Sequence, residues 1–477
     1  MIEGLKPYAE YKESGLPWLD TVPKHWDMAP NRALMRDQRQ VVGAKASEYT
    51  LLSLTLRGVI ARDMVNPKGK FPAQFNTYKA VKPDDFVFCL FDIDETPRGV
   101  GLSPLKGMIT GAYDIFSPTP RINPRFLYHY YLFVDEGKLM KPLYTGLRKT
   151  IQRGVFASLK APLPPPDEQA AIVRFLDHAN RKIDGFIRAK RKLIGLLNEQ
   201  KQAIIHRAVT GKDEVKRMRD EDGNSTFILQ PSSLPKKPSG IPWLGDIPKH
   251  WGIVRNMALF AHRVEPGIAG LPVLQVSLRS GITAEELDQF GRPKRLIADA
   301  TKYKRIHKND MAYNTMRMWQ GAVGVSPIGG LVSPAYVVLK PRQDTLPEFY
   351  DFIFHTEVYK QQVNRQSTGI VSDRNRLYWD SFKQMPNLAL SRKEQEEIVA
   401  FIATETAALT TAIARTEREI ALMQEYRTRL TADLVTGKLD VREAAAKLPE
   451  KRAFPSDLSD PSDESDLSEE TPAEEES

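Results

Sequence analysis

The chain repeats itself, and nothing else in the sequence constrains its fold as strongly. Residues 14–26 read Ser-Gly-Leu-Pro-Trp-Leu-Asp-Thr-Val-Pro-Lys-His-Trp, and residues 239–251 read Ser-Gly-Ile-Pro-Trp-Leu-Gly-Asp-Ile-Pro-Lys-His-Trp, an offset of 225. Further pieces return in the same order at offsets of 222–226. Leu52 to Arg57 comes back as Leu274 to Arg279, and Tyr78-Lys79 with Asp85 as Tyr303-Lys304 with Asp310. Gly101, Ser103-Pro104, Gly107 and Ala112-Tyr113 come back as Gly324, Ser326-Pro327, Gly330 and Ala335-Tyr336. Thr145-Gly146 recurs at Thr368-Gly369, Glu168-Gln169 at Glu394-Gln395, Ile172-Val173 at Ile398-Val399, and Val209 to Lys212 at Val435 to Lys438. Ordered echoes at nearly one offset mark a tandem duplication. At 477 residues the chain exceeds one ordinary core, so each half is expected to fold on the same plan.

That plan is a mixed domain followed by a long helix. Short apolar runs such as Phe86 to Phe91 and Tyr336 to Leu339, broken by Gly and Pro, read as strands. Phe349 to Val363 reads as helix, and Phe126 to Val134 as helix or strand. The expected division is 1–165, first mixed domain; 166–212, helix; 213–238, linker; 239–390, second mixed domain; 391–440, helix; and 441–477, an acidic disordered tail. The expected class is α+β: two duplicated mixed α/β domains separated by two long antiparallel helices that form a coiled coil.

The helices carry the pattern for such pairing. After Pro164-Pro165-Pro166, residues 167–209 contain no proline, and Asp167 is the expected N-cap. Ile172, Leu176, Ala179, Ile183, Phe186, Leu193, Leu197 and Ile204 mark a seam of alternating four- and three-residue steps, interrupted by Lys190 and Gln200. Ile398, Ile402, Leu409, Ala412, Met423, Tyr426 and Leu430 mark its counterpart, and Ser391 with Glu394 spells a capping box. Gly211 and Gly437 suit the position just past each helix end. A helix of this length spans about 65 Å. An antiparallel pair is expected because it separates two bulky domains with little connecting chain.

Charge points to a polyanionic partner. The net charge is +8, but residues 453–477 hold ten acids and no Lys or Arg, so removing them leaves +18 on residues 1–452. A body that basic attracts nucleic acid, although a solvated basic surface would read the same. No run of 18 apolar residues occurs and Met1–Glu10 lacks a signal-peptide core, so a cytoplasmic protein without a membrane span is expected. The single cysteine, Cys89, excludes an intrachain disulfide and reads as a buried core thiol.

Catalytic patterns are wanting. Ser333-Pro334-Ala335-Tyr336 lacks the acid or amide and the second proline of an amino-methyltransferase element, and Gly99-Val100-Gly101 is not a dinucleotide fingerprint. Gly211-Lys212 and Gly437-Lys438 lack the upstream glycine of a phosphate loop. Of Asp84, Asp85, Asp92, Asp94 and Glu95, only Asp85 has a counterpart, Asp310, which speaks against a metal nuclease. His25 and His250 have no neighbouring His or Cys and read as structural, so no metal site is expected. Trp18, Trp26, Trp243 and Trp251 read as packing.

The doubled Gly-(Leu/Ile)-Pro-Trp-Leu and (Val/Ile)-Pro-Lys-His-Trp segments, Pro164 to Gln169 before a long helix, and Ser333 to Tyr336 resemble type I restriction–modification specificity subunits. The resemblance runs through both halves to about residue 440. It implies a non-catalytic subunit with two target recognition domains, each reading half of a split double-stranded DNA site, and a helix pair setting the unread spacer. It also implies two adenine methyltransferase partners and motor-nuclease subunits, with S-adenosylmethionine, ATP and Mg belonging to those partners and no cofactor in this chain. The other readings are an assembly scaffold and a DNA-cleaving enzyme. Candidate DNA contacts in the first half are Arg57, Arg62, Lys68, Lys70, Arg98, Arg148, Lys149 and Arg153. In the second half they are Arg279, Arg292, Lys294, Arg295, Arg317, Gln320, Arg374 and Arg376. Arg57 and Arg279 match and suit a shared phosphate contact, whereas Arg317 and Gln320 differ between halves and suit base readout.

Overall fold

The computed structural model describes residues 5–63, 75–93, 95–145, 149–219, 225–231, 234–242, 244–278, 281–284, 299–368 and 375–449. Its main elements are β1 (Met35–Gln38), β2 (Phe86–Phe88), β3 (Val100–Leu102), β4 (Asp114–Pro118), α1 (Pro124–Glu136) and α2 (Pro166–Val209). They recur as β5 (Phe260–Arg263), β6 (Met311–Asn314), β7 (Val323–Val325), β8 (Tyr336–Pro341), α3 (Pro347–Phe354), α4 (Glu357–Gln366) and α5 (Arg392–Val435). Two compact units result: residues 1–187 with 421–477, and residues 188–420. Each therefore contains part of both long helices.

In the first unit an antiparallel sheet of order β1-β4-β2-β3 sets Phe86 opposite Phe116 and Val87 opposite Ile115. In the second, β5-β8-β6-β7 repeats that order with every neighbour antiparallel. Strand β2 is buried throughout, as its unbroken apolar run requires. Phe88 packs on Tyr131 of α1 with ring centroids 5.0 Å apart, and on Phe156 at 4.8 Å. Cys89 is buried beside them. Phe126 to Val134 lies within α1, whose Asn123 cap accepts from Arg125 N at 3.0 Å. Phe349 to Val363 is broken into α3 and α4 by Thr356, which caps α4. Residues 213–238 contain a hairpin, Asp213–Arg219 with Ser225–Pro231.

The long helices run antiparallel within each unit. In the second unit Lys190 Nζ lies 2.7 Å from Glu419, while farther along α2 Lys201 Nζ donates to Thr410 at 3.0 Å. Numbers rising on one helix fall on the other. In the first unit Asp184 pairs with Arg427, and Ile172 and Leu176 share a core with Leu430 and Leu434. Each helix thus begins in the core of its own repeat and ends in the core of the other. Ile205, Ala208 and Val209 of α2 are buried with Trp251, Ile398 and Ile402.

The seam departs from the expected one at two positions. Phe186 and Leu193 are exposed, while Ile187 is buried and Ile194 half-buried. From Ala179 through Ile183 to Ile187 two four-residue steps follow each other, a stutter that shifts the contact stripe by one position. Lys190 consequently lies in the seam and finds Glu419 there. Ile172, Leu176, Ile183, Ile398, Ile402 and Leu430 are buried as expected, and Leu197, Leu409 and Met423 are half-buried. Among the described helices α5 alone is long and apolar enough, by length and composition, to cross a membrane. It is rich in Ala and Thr, and Thr404, Thr406, Thr411 and Thr416 turn their hydroxyls back onto carbonyls one turn earlier.

The helix ends refine two further expectations. Helix α2 begins at Pro166, so Asp167 is in its first turn and is not the cap. Ser391 Oγ accepts from Glu394 N at 3.3 Å, which is half of a capping box. The Glu394 side chain points elsewhere, as described below. Gly211 and Gly437 take the left-handed conformation, with φ of +68° and +74°. At Gly437 the Lys438 amide reaches back to Asp433 O at 2.8 Å, closing the helix in a Schellman turn.

Candidate nucleic-acid interface

The repeated segments meet at one carboxylate in each unit. Glu168, in the first turn of α2, accepts from Trp26 Nε1 at 2.9 Å and from the Tyr8 hydroxyl, and lies 2.8 Å from His25 Nε2. Burial and the neighbouring Glu168 hold the Tyr8 phenol far above its usual range, so it remains a donor. Glu394 repeats the arrangement, accepting from Trp251 Nε1 at 2.7 Å with His250 Nε2 at 3.1 Å. The adjacent Gln169 accepts from Asn123 N at 2.6 Å and donates to Pro164 O at 2.8 Å. Gln395 does the same with Leu346 N and Leu390 O. These doubled residues fasten helix to domain. Trp18 reaches Tyr130 Oη at 3.4 Å, and Trp243 lies outside the described residues.

Asp85 and Asp310 are also fasteners. Asp85 accepts from Lys82 N at 2.8 Å and from Ser117, and burial raises its pKa. Asp310 accepts from His307 N at 2.9 Å, with Arg263 Nε at 2.7 Å. Lys79 and Lys304 direct their ammonium groups onto Tyr113 O and Tyr336 O, and burial lowers both. Among the described residues no three His, Cys, Asp or Glu converge as metal ligands. Asp94 is outside that set.

With the fastening residues assigned, the loops remain. In each unit two loops lie side by side at one end of the sheet. Ile151 N donates to Leu90 O at 2.8 Å, and Leu377 N to Thr315 O at 2.9 Å. A two-bond bridge closes the second loop in each unit, Thr145 with Thr150 and Thr368 with Arg376. On one scaffold the two units thus present loops of different length and sequence. Arg317, Gln320 and Arg376 are exposed there in the second unit, anchored by the fully buried Met318. In the first unit Lys149 occupies the corresponding loop with its ammonium 2.7 Å from Glu95.

The candidate cations separate by partner. Arg98 is turned inward, 3.8 Å from Asp135, a carboxylate that also receives Gly99 N and Lys138. Arg153 pairs with Asp114. Arg57 stands at the tip of the hairpin Leu52–Thr55/Gly58–Ala61, exposed and without an ion pair among the described residues. Arg62 is half-buried beside that hairpin. Lys68, Lys70, Arg148, Arg279, Arg292, Lys294, Arg295 and Arg374 lie outside the described residues. The sequence reading did not connect Glu168 to Trp26, or Glu394 to Trp251. The signal available was that all four belong to blocks repeated in step.

Two units on one strand order, each fastened to a long helix, define a duplicated α+β fold with an antiparallel helix pair. That fold is similar to a chain of a solved type I R-M system, with a TM-score of 0.55 and 11% identity over 87% of this chain and 98% of that one. The HsdS subunit from Thermoanaerobacter tengcongensis matches over 87% of this chain and 98% of its own, at 15% identity and a TM-score of 0.36. The type I restriction-modification S subunit from M. genitalium matches over 86% and 96%, at 11% identity and a TM-score of 0.32. No family model and no curated protein matches the sequence.

Proposed function

We propose that this chain is the DNA sequence-specificity subunit of a type I restriction–modification complex and carries no catalysis itself. The observation that supports this reading is the pairing of one shared strand order with unlike loops. The two units share strand order, fasteners and loop closure, yet place Lys149 in one loop and Arg317, Gln320 and Arg376 in the other's pair. A protein that reads two different half-sites from equivalent frames needs that combination. Residues 1–165 and 239–390 are the two recognition domains in this reading, and the helix pair sets the unread spacer. Two adenine methyltransferase subunits and motor-nuclease subunits bind it in the cytoplasm and bring S-adenosylmethionine, ATP and Mg.

The test is co-expression with the methyltransferase encoded beside it, followed by long-read detection of methylated adenine. The expected result is one split motif, two short blocks around a fixed gap. An active methyltransferase that leaves no such motif would refute sequence reading and favour a scaffold. In binding assays log K should fall linearly with log salt, and Arg57→Ala should reduce the slope by about 1 if Arg57 contacts a phosphate.

A further inference from the structure

The two sheets differ at one cluster of equivalent positions. In the first unit Lys79 Nζ lies 3.5 Å from Asp114, Arg153 pairs with the same carboxylate, and Asp37 stands 4.0 Å from Arg153. Strand register fixes the counterparts. Asp114 faces Phe88 as Val337 faces Tyr313, and Asp37 faces Phe116 as His262 faces Leu339. The matching bonds from Ile151 to Leu90 and from Leu377 to Thr315 put Trp379 where Arg153 stands. Of two cations and two carboxylates, the second unit thus keeps only the lysine, Lys304. His262 stacks on Trp379 with ring centroids 5.2 Å apart, and burial and Lys304 hold its pKa below the usual range, so its ring is uncharged at neutral pH. Lys304 Nζ donates to Tyr336 O at 2.6 Å, which uses one of its three N–H groups, and it has no ion pair among the described residues. Burial lowers both ammonium groups, but a carboxylate opposes that effect only at Lys79.

Lys304 stands where the second unit's loops arise. Its acceptor Tyr336 opens β8 and pairs with Asn314, the last residue of β6. The loop carrying Arg317 and Gln320 follows directly, and Leu377 beside it bonds to Thr315. Arg317 and Arg376 are exposed on those loops and form no ion pair among the described residues. We propose that Lys304 holds a DNA phosphate at the loop end of the second unit, a contact that the first unit lacks because Asp114 engages Lys79. A half-buried ammonium short of acceptors has already lost much of its hydration, so a phosphate oxygen restores what burial removed. Three cations at one end of the sheet favour a polyanion over a single carboxylate of a protein partner. Lys304 sits at the base of the loops, and an ammonium is a point charge, so it senses backbone charge and not base edges. This contact rests on the reading of the chain as a DNA-binding subunit and deepens it, since the two units then grip the backbone unequally.

The full chain is titrated at several salt concentrations with a fluorescent mixed-sequence duplex of about 40 base pairs, roughly four helical turns. Wild type should show a linear fall of log K with log salt. Lys304→Gln, which removes the charge but keeps a hydrogen-bond donor, should make that slope shallower by about 0.9, the share of one phosphate, whereas Lys304→Arg should retain it. Val337→Asp, which installs the first unit's carboxylate beside Lys304, should reproduce the loss with the ammonium still in place. Lys79→Gln, which leaves Asp114 paired with Arg153, should stay within about 0.3 of the wild-type slope. An unchanged slope for Lys304→Gln, in protein that binds the duplex and has wild-type circular dichroism, overturns the phosphate contact and leaves the proposed function standing. Should that variant instead lose its methyltransferase, the ligand of Lys304 is a carboxylate of that partner and the phosphate is refuted. An equal loss in Lys79→Gln overturns the inequality of the two units. Failure of wild type to bind the duplex overturns the DNA-binding reading and this contact together.

Discussion

Gly437 is the tightest joint in the first unit, and replacing it with alanine isolates what that joint contributes. A Cβ there would stand 2.2 Å from Pro23 Cδ, 2.6 Å from Pro23 Cγ and 3.1 Å from Trp26 Cη2. The proline ring is rigid and Trp26 is fully buried, so neither can swing aside cheaply. The left-handed backbone, φ +74°, adds a cost of about 1–2 kcal/mol for any residue with a Cβ. Gly15 is the matched control, since its φ is +72° and nothing lies within 4 Å of its added Cβ. Gly15→Ala therefore carries the backbone term alone, offset by about 0.4–1 kcal/mol from a less flexible unfolded chain. The steric excess in Gly437→Ala should be about 1–3 kcal/mol. For a folding unit of roughly 150–250 residues each kcal/mol moves the midpoint by about 2–4 °C. Thermal unfolding followed by circular dichroism and tryptophan fluorescence should place Gly437→Ala roughly 2–12 °C below Gly15→Ala. Midpoints for the two within 1 °C would refute the argument that the helix end is locked against Pro23 and Trp26. Gly211→Ala, with Pro248 Cδ at 2.4 Å and Trp251 Cζ3 at 2.9 Å, should behave likewise in the second unit.

Two more perturbations test other parts of the account. His129 is buried, its Nε2 has no hydrogen-bond partner among the described residues, and burial, aided by Arg125, lowers its pKa to about 4. Because the folded pKa lies below the unfolded value of about 6.5, the neutral ring's contribution is intact above pH 6.5 and lost as pH falls towards 4, by about 3 kcal/mol. His129→Phe, which installs the residue found at the corresponding Phe352, should flatten that acid limb in urea melts at pH 7 and pH 4.5; an unchanged pH dependence would discount the ring. For the shifted seam, Ile187→Gln should cost about 2–4 kcal/mol while Phe186→Gln costs under about 1. The reverse ranking in denaturant titrations would restore the unshifted phase.

Much of this architecture was legible in the sequence because it was written twice. Matching blocks announced two equivalent domains, and proline-free stretches with seven-residue periodicity announced the helices. The glycines past each helix end were legible because a positive φ restricts residue choice. Less was visible where partners are distant in the chain. Glu168 and Trp26 are 142 residues apart, and no spacing rule links them. The stutter at Ala179–Ile187 was hidden because Phe186 is as apolar as Ile187, so only packing distinguishes them. Charge alone did not sort the candidate site. Arg98 and Arg57 look alike in sequence, and one is held by a buried aspartate while the other stands at a hairpin tip.

The interchange of helix ends also dictates an order of assembly during synthesis. The second unit uses one continuous stretch of chain, residues 188–420, whereas the first needs residues from 421 onward to complete its core. The amino-terminal domain leaves the ribosome first yet stays open along the face that Leu430, Leu434 and Val435 will cover. At about 5–20 residues per second, the roughly 230 residues in between take on the order of 10–50 s to make. For that interval Ile172 and Leu176 lack their final neighbours, so the first domain can close its core only after the carboxy-terminal helix has been made.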